Sequence, residues 1–345
     1  MWDKLVKSIA MTGIVVLGGC AGPQHLKQED WSSFRNHYVT SQGRIKDSNN
    51  ANISHSEGQG VGMLFAVAYN DRKTFDRIWS WTQQHLQIRD DPLFAWKWDP
   101  QATPSVSDRN NASDGDIIIA WALYRASLRW GKPAYRRAAD KILHHIRRTL
   151  VRPTPFGPVI LPGAYGFEDN EGLTVNPSYW VYPAFAFFQQ HQPQVAEWQA
   201  LTDTGIELLR AGRFGRWQLP PDWLRIEGEQ LHIADNFKPR FSYDAIRVPL
   251  YLIWGGHNDA DLVQPFVHFW DYFHGARFTP AWTDLTDDSI GSYDASPGFH
   301  AIMALTYNQI GRDHTRPQQP RPGEHYYSAS LRLLTDLARQ DTVSP

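Results

Sequence analysis

Cysteine is almost absent from this 345-residue chain, in which Cys20 stands alone. A single thiol excludes an internal disulfide and any zinc or iron–sulfur site built on several cysteines. Neither sign of charge dominates. Lys and Arg total 34 against 36 Asp and Glu, a formal net charge of −2, and 20% of residues are charged. That balance excludes a polybasic arm and a disordered acidic chain. It also argues against nucleic acid as a partner, since phosphate backbones are bound by concentrated basic faces. The 14 histidines show no metal-ligand spacing, so neither a metal nor a cofactor is expected. What the chain has in excess is aromatic: 15 Trp, and 13% of residues Phe, Trp or Tyr. Each buried indole needs a partner for its N–H, so such a load points to rings that face a ligand.

The only apolar run near the start is residues 9–19 (IAMTGIVVLGG), preceded by Lys4 and Lys7 and followed by Cys20. A basic lead and an apolar stretch of this length read as a secretory signal, too short for the roughly 20 residues of a membrane span. Leu17-Gly18-Gly19-Cys20 resembles the lipobox of bacterial lipoproteins. That resemblance implies cleavage before Cys20, lipidation of its thiol and a periplasm-facing protein whose membrane contact is through the lipid anchor alone. Residues 1–19 are thus expected to be signal, 20–28 a spacer, and 29–342 a single domain.

Helical patterns recur through that domain and strand alternation is scarce. The spacing predicts helices near 31–39, 58–70, 73–86, 114–130, 133–150, 177–190, 194–210, 243–255, 259–273, 297–308 and 325–339. Pro133 and Pro297 suit first helical positions. Segments 114–130 and 177–188 are apolar nearly all round, whereas 133–150 has one apolar stripe and a strongly basic face. Helices of the first kind are buried and those of the second lie outside. Alternating pairs therefore predict an all-α domain, a ring of inner helices wrapped by outer ones. The long Gly/Pro-rich connections 151–163 and 212–239 interrupt it, and connections of that length are usually functional.

Three segments place a carboxylate shortly after a serine at the head of a buried helix: Ser54-His55-Ser56-Glu57, Ser113-Asp114-Gly115-Asp116 and Ser242-Tyr243-Asp244. Singly, each reads as a cap: Ser54 with Glu57 and Ser113 with Asp116 fit the capping box, and the helix dipole favours first-turn acids. Together they read differently. Inner helices of a ring run in one direction, so three such acids share one rim, where their repulsion costs stability unless function requires it. Gly58, Gly60 and Gly62 beside Glu57 would let a bulky ligand approach the backbone. Glycoside hydrolysis is the chemistry that uses paired carboxylates together with aromatic rings.

The segment ASDGDIIIAWALYRASLRW, residues 112–130, closely resembles the signature of glycoside hydrolase family 8. SHSEGQGVGML, residues 54–64, and RFSYDAIRVPLY, residues 240–251, are similar to its other two catalytic segments. One departure is Tyr124, where the signature has a smaller aliphatic. The resemblance implies an (α/α)6 barrel of six inner and six outer helices, and inverting endo-cleavage of β-1,4-glucan. It extends to the cellulases that accompany bacterial cellulose synthase, so that complex is an expected partner. Carried over, Glu57 matches the general acid, Asp244 the general base, and Asp114 the signature aspartate at the cleavage point. Tyr243 and Arg247 match residues that position water and orient Asp244. Inversion requires the acid and base carboxyls to stand roughly 6.5–9.5 Å apart, against about 5–5.5 Å for retention. Xylan, chitosan or mixed-linkage glucan as substrate, or a glucan-binding scaffold role, are the alternatives.

Candidate sugar-binding residues are Trp96, Trp98, Tyr179, Trp180, Trp217, Trp223, Trp282, Tyr326 and Tyr327, with Asp116 beside the signature aspartate. Mid-helix Trp79, Trp81 and Trp121 sit at core spacing. His55 either touches substrate or tunes the acid next to it.

Overall fold

The structure is a computed structural model that describes residues 26–314 and 323–343; the signal segment and Cys20 lie outside them. The described residues form eleven α-helices. They are α1 (Gln28–Tyr38), α2 (Ser56–Ala68), α3 (Arg72–His85), α4 (Ser113–Trp130), α5 (Pro133–Thr149) and α6 (Tyr182–His191). The series continues with α7 (Glu197–Ala211), α8 (Arg247–Trp254), α9 (Ala260–Tyr272), α10 (Pro297–Gln309) and α11 (Tyr326–Val343).

Burial separates them into two classes, as the pattern predicts. Helices α2, α4, α8 and α10 are buried on nearly every side. Helix α5 buries only the stripe Tyr135, Ala139, Ile142, Leu143 and Ile146. Packing runs from α2 to α4, α4 to α6, α6 to α8, α8 to α10, α10 to α11 and from α11 back to α2. Those six helices close a circuit, and α3, α5, α7 and α9 pack against it from outside, as α1 does against α11. Small side chains permit the tightest contact. A Cβ on Gly60 would lie 3.0 Å from the Ile119 amide of α4, and one on Gly62 would lie 1.9 Å from Ile45 Cδ1. These glycines thus serve helix packing and not ligand approach, which corrects the reading of Gly60 and Gly62.

Two helices begin later than the sequence pattern predicts. Residues 177–190 divide into a 3-10 turn, Pro177–Tyr179, and α6, because Pro183 is accommodated only in a first turn. Likewise 243–246 is a turn, and α8 starts at Arg247 with Pro249 in its first turn. Helix α1 opens at Gln28, inside the stretch read as spacer.

Strands are short and lie in the connections. The pairs β1 (Ser54–His55) with β2 (Lys97–Trp98) and β8 (Arg240–Phe241) with β9 (Thr283–Asp284) brace the segments ahead of α2 and α8. The hairpin β3–β4 (Val151–Thr154, Gly157–Ile160) occupies the first long connection, and β6 (Leu224–Glu227) and β7 (Gln230–Ile233) the second, where they extend a sheet begun by β5 (Leu173–Val175) from the segment ahead of α6. Tyr124 packs its ring edge-on to Phe187 under the Arg136 guanidinium, within the helix body and away from the acids. None of the described helices is long and apolar enough to cross a membrane.

Candidate active site

Arg247, the first residue of α8, is 4% exposed, and its guanidinium meets all three predicted acids. Nη1 lies 3.5 Å from Glu57 Oε1; Nη2 lies 3.6 Å from Asp114 Oδ2 and 3.1 Å from Asp244 Oδ1. Nη2 also donates to Ser178 Oγ at 2.8 Å and Nη1 to the Tyr327 hydroxyl at 3.3 Å. Burial works against the charge, but Glu57, Tyr327, Asp244 and Asp114 outweigh it, so the guanidinium is held firmly protonated. Because Glu57 and Asp244 bind opposite nitrogens of one rigid fork, their nearest oxygens stand no more than about 9 Å apart.

Glu57 sits in the first turn of α2. The cap of that helix is His55, whose Nδ1 accepts from Gly58 N at 3.0 Å. Ser54 is drawn into β1 and its hydroxyl donates to the Ile45 carbonyl, so the expected Ser54–Glu57 capping box does not form. His55 lies between Asp47 (3.9 Å) and Glu57 (3.7 Å), beside the acid. Glu57 and Asp114 come together because α2 and α4 touch at Gly115: a Cβ there would lie 2.2 Å from Ser56 Oγ and 2.7 Å from Glu57 N.

Asp114 is 3% exposed and accepts from Gly115 N at 2.7 Å. Burial, reinforced by the Glu57 charge, pushes its carboxyl well above the ordinary carboxylate range, against the pull of Arg247. Asp116 is fully buried with its oxygens turned away from the acids. Oδ1 accepts from Phe94 N at 3.0 Å and Oδ2 from Asn111 Nδ2 at 2.7 Å. Asp116 therefore ties the 94–111 connection to α4 and is not placed to bind sugar, which corrects the reading of it as a substrate residue. Ser113 caps nothing; it is the first helical residue, and its N–H donates to the Pro162 carbonyl.

Asp244 lies in the turn before α8. Burial pushes its carboxyl upward; Arg247 opposes this and the Glu57 charge adds to it, with a net rise. Arg247 thus supplies the expected partner without holding the group low. The turn is fixed by a residue the sequence reading missed. Asp222 Oδ1 accepts from Ser242 N (2.9 Å) and Ala245 N (2.8 Å), and Oδ2 takes the Ser242 hydroxyl. Burial, then the Asp244 charge, pushes Asp222 up to about 7. Its one sequence signal is position: an acid after Pro220-Pro221 in the long 212–239 connection. Asn176, which caps the 3-10 turn by accepting from Ser178 N, and Ser178, whose hydroxyl accepts from Arg247, were also missed.

The aromatic candidates divide. Tyr327 donates to the Tyr243 carbonyl, and the Tyr243 hydroxyl lies 2.8 Å from that of Tyr293. Tyr179 abuts the acids, whose charges add to burial in raising its hydroxyl. Trp96 is half-buried, and its carbonyl accepts from Ser56 N, one residue from the acid. Trp180 is a correction: it is 1% exposed, packs against Gly205 and donates to the Leu201 carbonyl, so it is core. Trp217 and Tyr326 are core as well. Trp223 is half-buried and stacks with Phe237 at 4.1 Å and Phe167 at 5.7 Å. Among the described residues no cluster of three or more His, Cys, Asp or Glu could hold a metal ion.

Carboxyls of unequal burial, joined through one guanidinium and bordered by rings, place the chain among the glycoside hydrolases. It belongs to the glycosyl hydrolases family 8, which it matches over residues 3–341. It is 40% identical over 318 residues to a probable endoglucanase of Novacetimonas hansenii, covering 91% of each chain. It superposes on an endo-β-1,4-glucanase of Acetobacter xylinum with a TM-score of 0.84 at 38% identity, covering 91% of this chain and 98% of that one. An endoglucanase of Klebsiella pneumoniae superposes with a TM-score of 0.85 at 36% identity, over 91% and 99% of the two chains.

Proposed function

We propose that the chain is an inverting endo-β-1,4-glucanase acting on cellulose-type glucan. The convergence of Glu57, Asp114 and Asp244 on Arg247 carries this reading. Its relatives of known name, an endo-β-1,4-glucanase among them, support the choice of β-1,4-glucan over xylan or chitosan. The closed circuit of six helices with others outside it is read as an (α/α)6 barrel forming a single catalytic domain over 29–342.

In the reaction Glu57 donates a proton to the glycosidic oxygen as the bond breaks. Asp244, ionised beside Arg247, takes a proton from the water that attacks the anomeric carbon from the opposite face. Tyr243, held at its carbonyl by Tyr327 and at its hydroxyl by Tyr293, borders that water. Asp114, pushed toward its protonated form, donates a hydrogen bond to a sugar oxygen at the cleavage point. The limit of about 9 Å between Glu57 and Asp244 is compatible with the roughly 6.5–9.5 Å of inversion and with the roughly 5–5.5 Å of retention, so the product anomer is the discriminating measurement. Tyr179 and Trp96 contact the glucan. The protein is secreted, anchored in the periplasm through lipidated Cys20, and works beside a cellulose synthase complex.

The wild-type protein should rapidly lower the viscosity of carboxymethyl-cellulose, and Glu57→Gln should reduce hydrolysis by at least about 10³-fold. Proton NMR should show the α-anomer as the first product. Hydrolysis by Glu57→Gln at the wild-type rate would remove the acid assignment, and a first-formed β-anomer would remove inversion.

A further inference from the structure

Asp108 lies outside the catalytic trio, on the connection between β2 and α4, and its carboxylate holds two aromatic side chains at once. Oδ2 accepts from the Trp96 indole N–H at 2.8 Å, and Oδ1 accepts from the Tyr165 hydroxyl at 2.8 Å and from Asn110 N at 2.9 Å. Both residues are tied through their backbone to the segments that carry the acids. The Trp96 carbonyl accepts from Ser56 N, and the Tyr165 carbonyl accepts from Asn110 Nδ2, four residues before Asp114. The Tyr165 ring is 55% exposed, although nothing in the core requires it to be fixed.

We propose that Asp108 is a positioning residue that pre-orders Trp96 and Tyr165 as a paired platform for a glucose unit of the bound chain. The inference rests on the glucanase reading and adds to it Tyr165 as a binding residue and Asp108 as its organiser. A flexible ring must be immobilised before a sugar can stack on it, and that ordering subtracts from affinity. A carboxylate removes the cost in advance for both rings. The residue type follows from the donors. An indole can only donate, as can the Asn110 N–H, and they face different oxygens. An amide has one acceptor oxygen, so asparagine serves one side and leaves the other unpaired. Those three donors, with Lys97 nearby, outweigh burial and hold the carboxyl below the usual range, so the clamp persists in mild acid.

The test is Asp108→Asn, assayed for turnover of cellohexaose and, in the Glu57→Gln background, for cellohexaose binding by calorimetry. KM and Kd should rise about threefold to tenfold while kcat changes by less than about twofold. In a Trp96→Ala/Tyr165→Ala background the same substitution should cost nothing further, since its effect passes through those rings. Unchanged KM and Kd, or the full penalty persisting in the ring-less background, would overturn the proposal. Tyr165→Phe, which keeps the ring and drops its anchor, gives the same reading if Asp108→Asn does not fold, with a smaller rise expected and no rise overturning the clamp. Wild-type turnover reports the glucanase reading separately: an inert wild type that binds cellohexaose through the clamp would defeat that reading alone.

Discussion

Arg247 governs the charges of this site more than any one of its acids. Three carboxyls within 3.6 Å of one guanidinium would otherwise repel each other in a buried setting. Its pull on Asp244 opposes burial, so removing it should raise the Asp244 carboxyl further. The base must be ionised to take a proton from water. Arg247→Gln should therefore move the acidic limb of the kcat/KM profile to higher pH, besides lowering kcat by about 10²-fold or more. An acidic limb that stays in place would show that Arg247 acts on geometry alone. Trp180 and Asp116 mark where single-residue reading ended. Each lies within two residues of a residue at the acid cluster, Tyr179 or Asp114, yet the turn of the 3-10 segment and of α4 points it into the core. Adjacency in sequence carries no information on which way a side chain faces until the local backbone is known.

The turn before α8 and the carboxyl that pins it form the next level. Replacing Asp222 with alanine leaves Ser242 N and Ala245 N without partners, at about 1–3 kcal/mol each when buried, and frees the loop that carries the base. Asp222→Ala should lose activity by about 10²-fold. Asparagine can keep its oxygen on both N–H groups and donate to the Ser242 hydroxyl, so Asp222→Asn should keep most activity. The sign of its stability effect follows from burial. The folded value of about 7 lies above that of an unfolded aspartate, so the stabilisation is full at acid pH and lost as pH rises through 7. Asp222→Asn should thus gain on wild type in melting temperature as pH rises from about 4 to about 7 and keep a constant lead above that, by about 1–2 °C per kcal/mol recovered. A parallel pair of Tm–pH curves would contradict this. Helix existence was legible from hydrophobic periodicity: α3 and α5 bury the stripes their sequences display. Helix starts were less so. Pro183 and Pro249 shift two of them, and a two-residue strand moves the α2 cap from Ser54 to His55, because tertiary pairing outcompetes a local capping preference. The three acids could be found because each follows a serine at the head of a helix or of the turn leading into one; Asp222 and Asp108 could not, because their partners are mostly backbone and ring groups distant in sequence.

At the scale of the molecule the helical circuit has two unlike ends. The acids occupy the end where α2 and α4 begin and where the turn leads into α8. Leu26, where the described chain starts, lines a cavity of about 840 Å³ at the other, with Tyr69, Arg125, Leu128 and Asp341 from the C-terminal parts of α2, α4 and α11. Helix α4, with 18 residues, separates the two ends by about 27 Å. Cys20 precedes Leu26 by six residues, a reach of about 20 Å when extended. Lipidation at Cys20, as proposed, would therefore hold the cavity end near the membrane and turn the acids toward the polymer, without touching the chemistry. Cys20→Ser should move the protein from the membrane to the soluble fraction of a bacterial host and abolish palmitate labelling. Its kcat/KM on soluble carboxymethyl-cellulose should stay within about twofold of the detergent-solubilised wild type. Wild-type protein that is soluble and unlabelled would overturn the anchor while leaving the enzyme assignment intact, because Leu26, where the described chain starts, lies at the end of the fold opposite the acids.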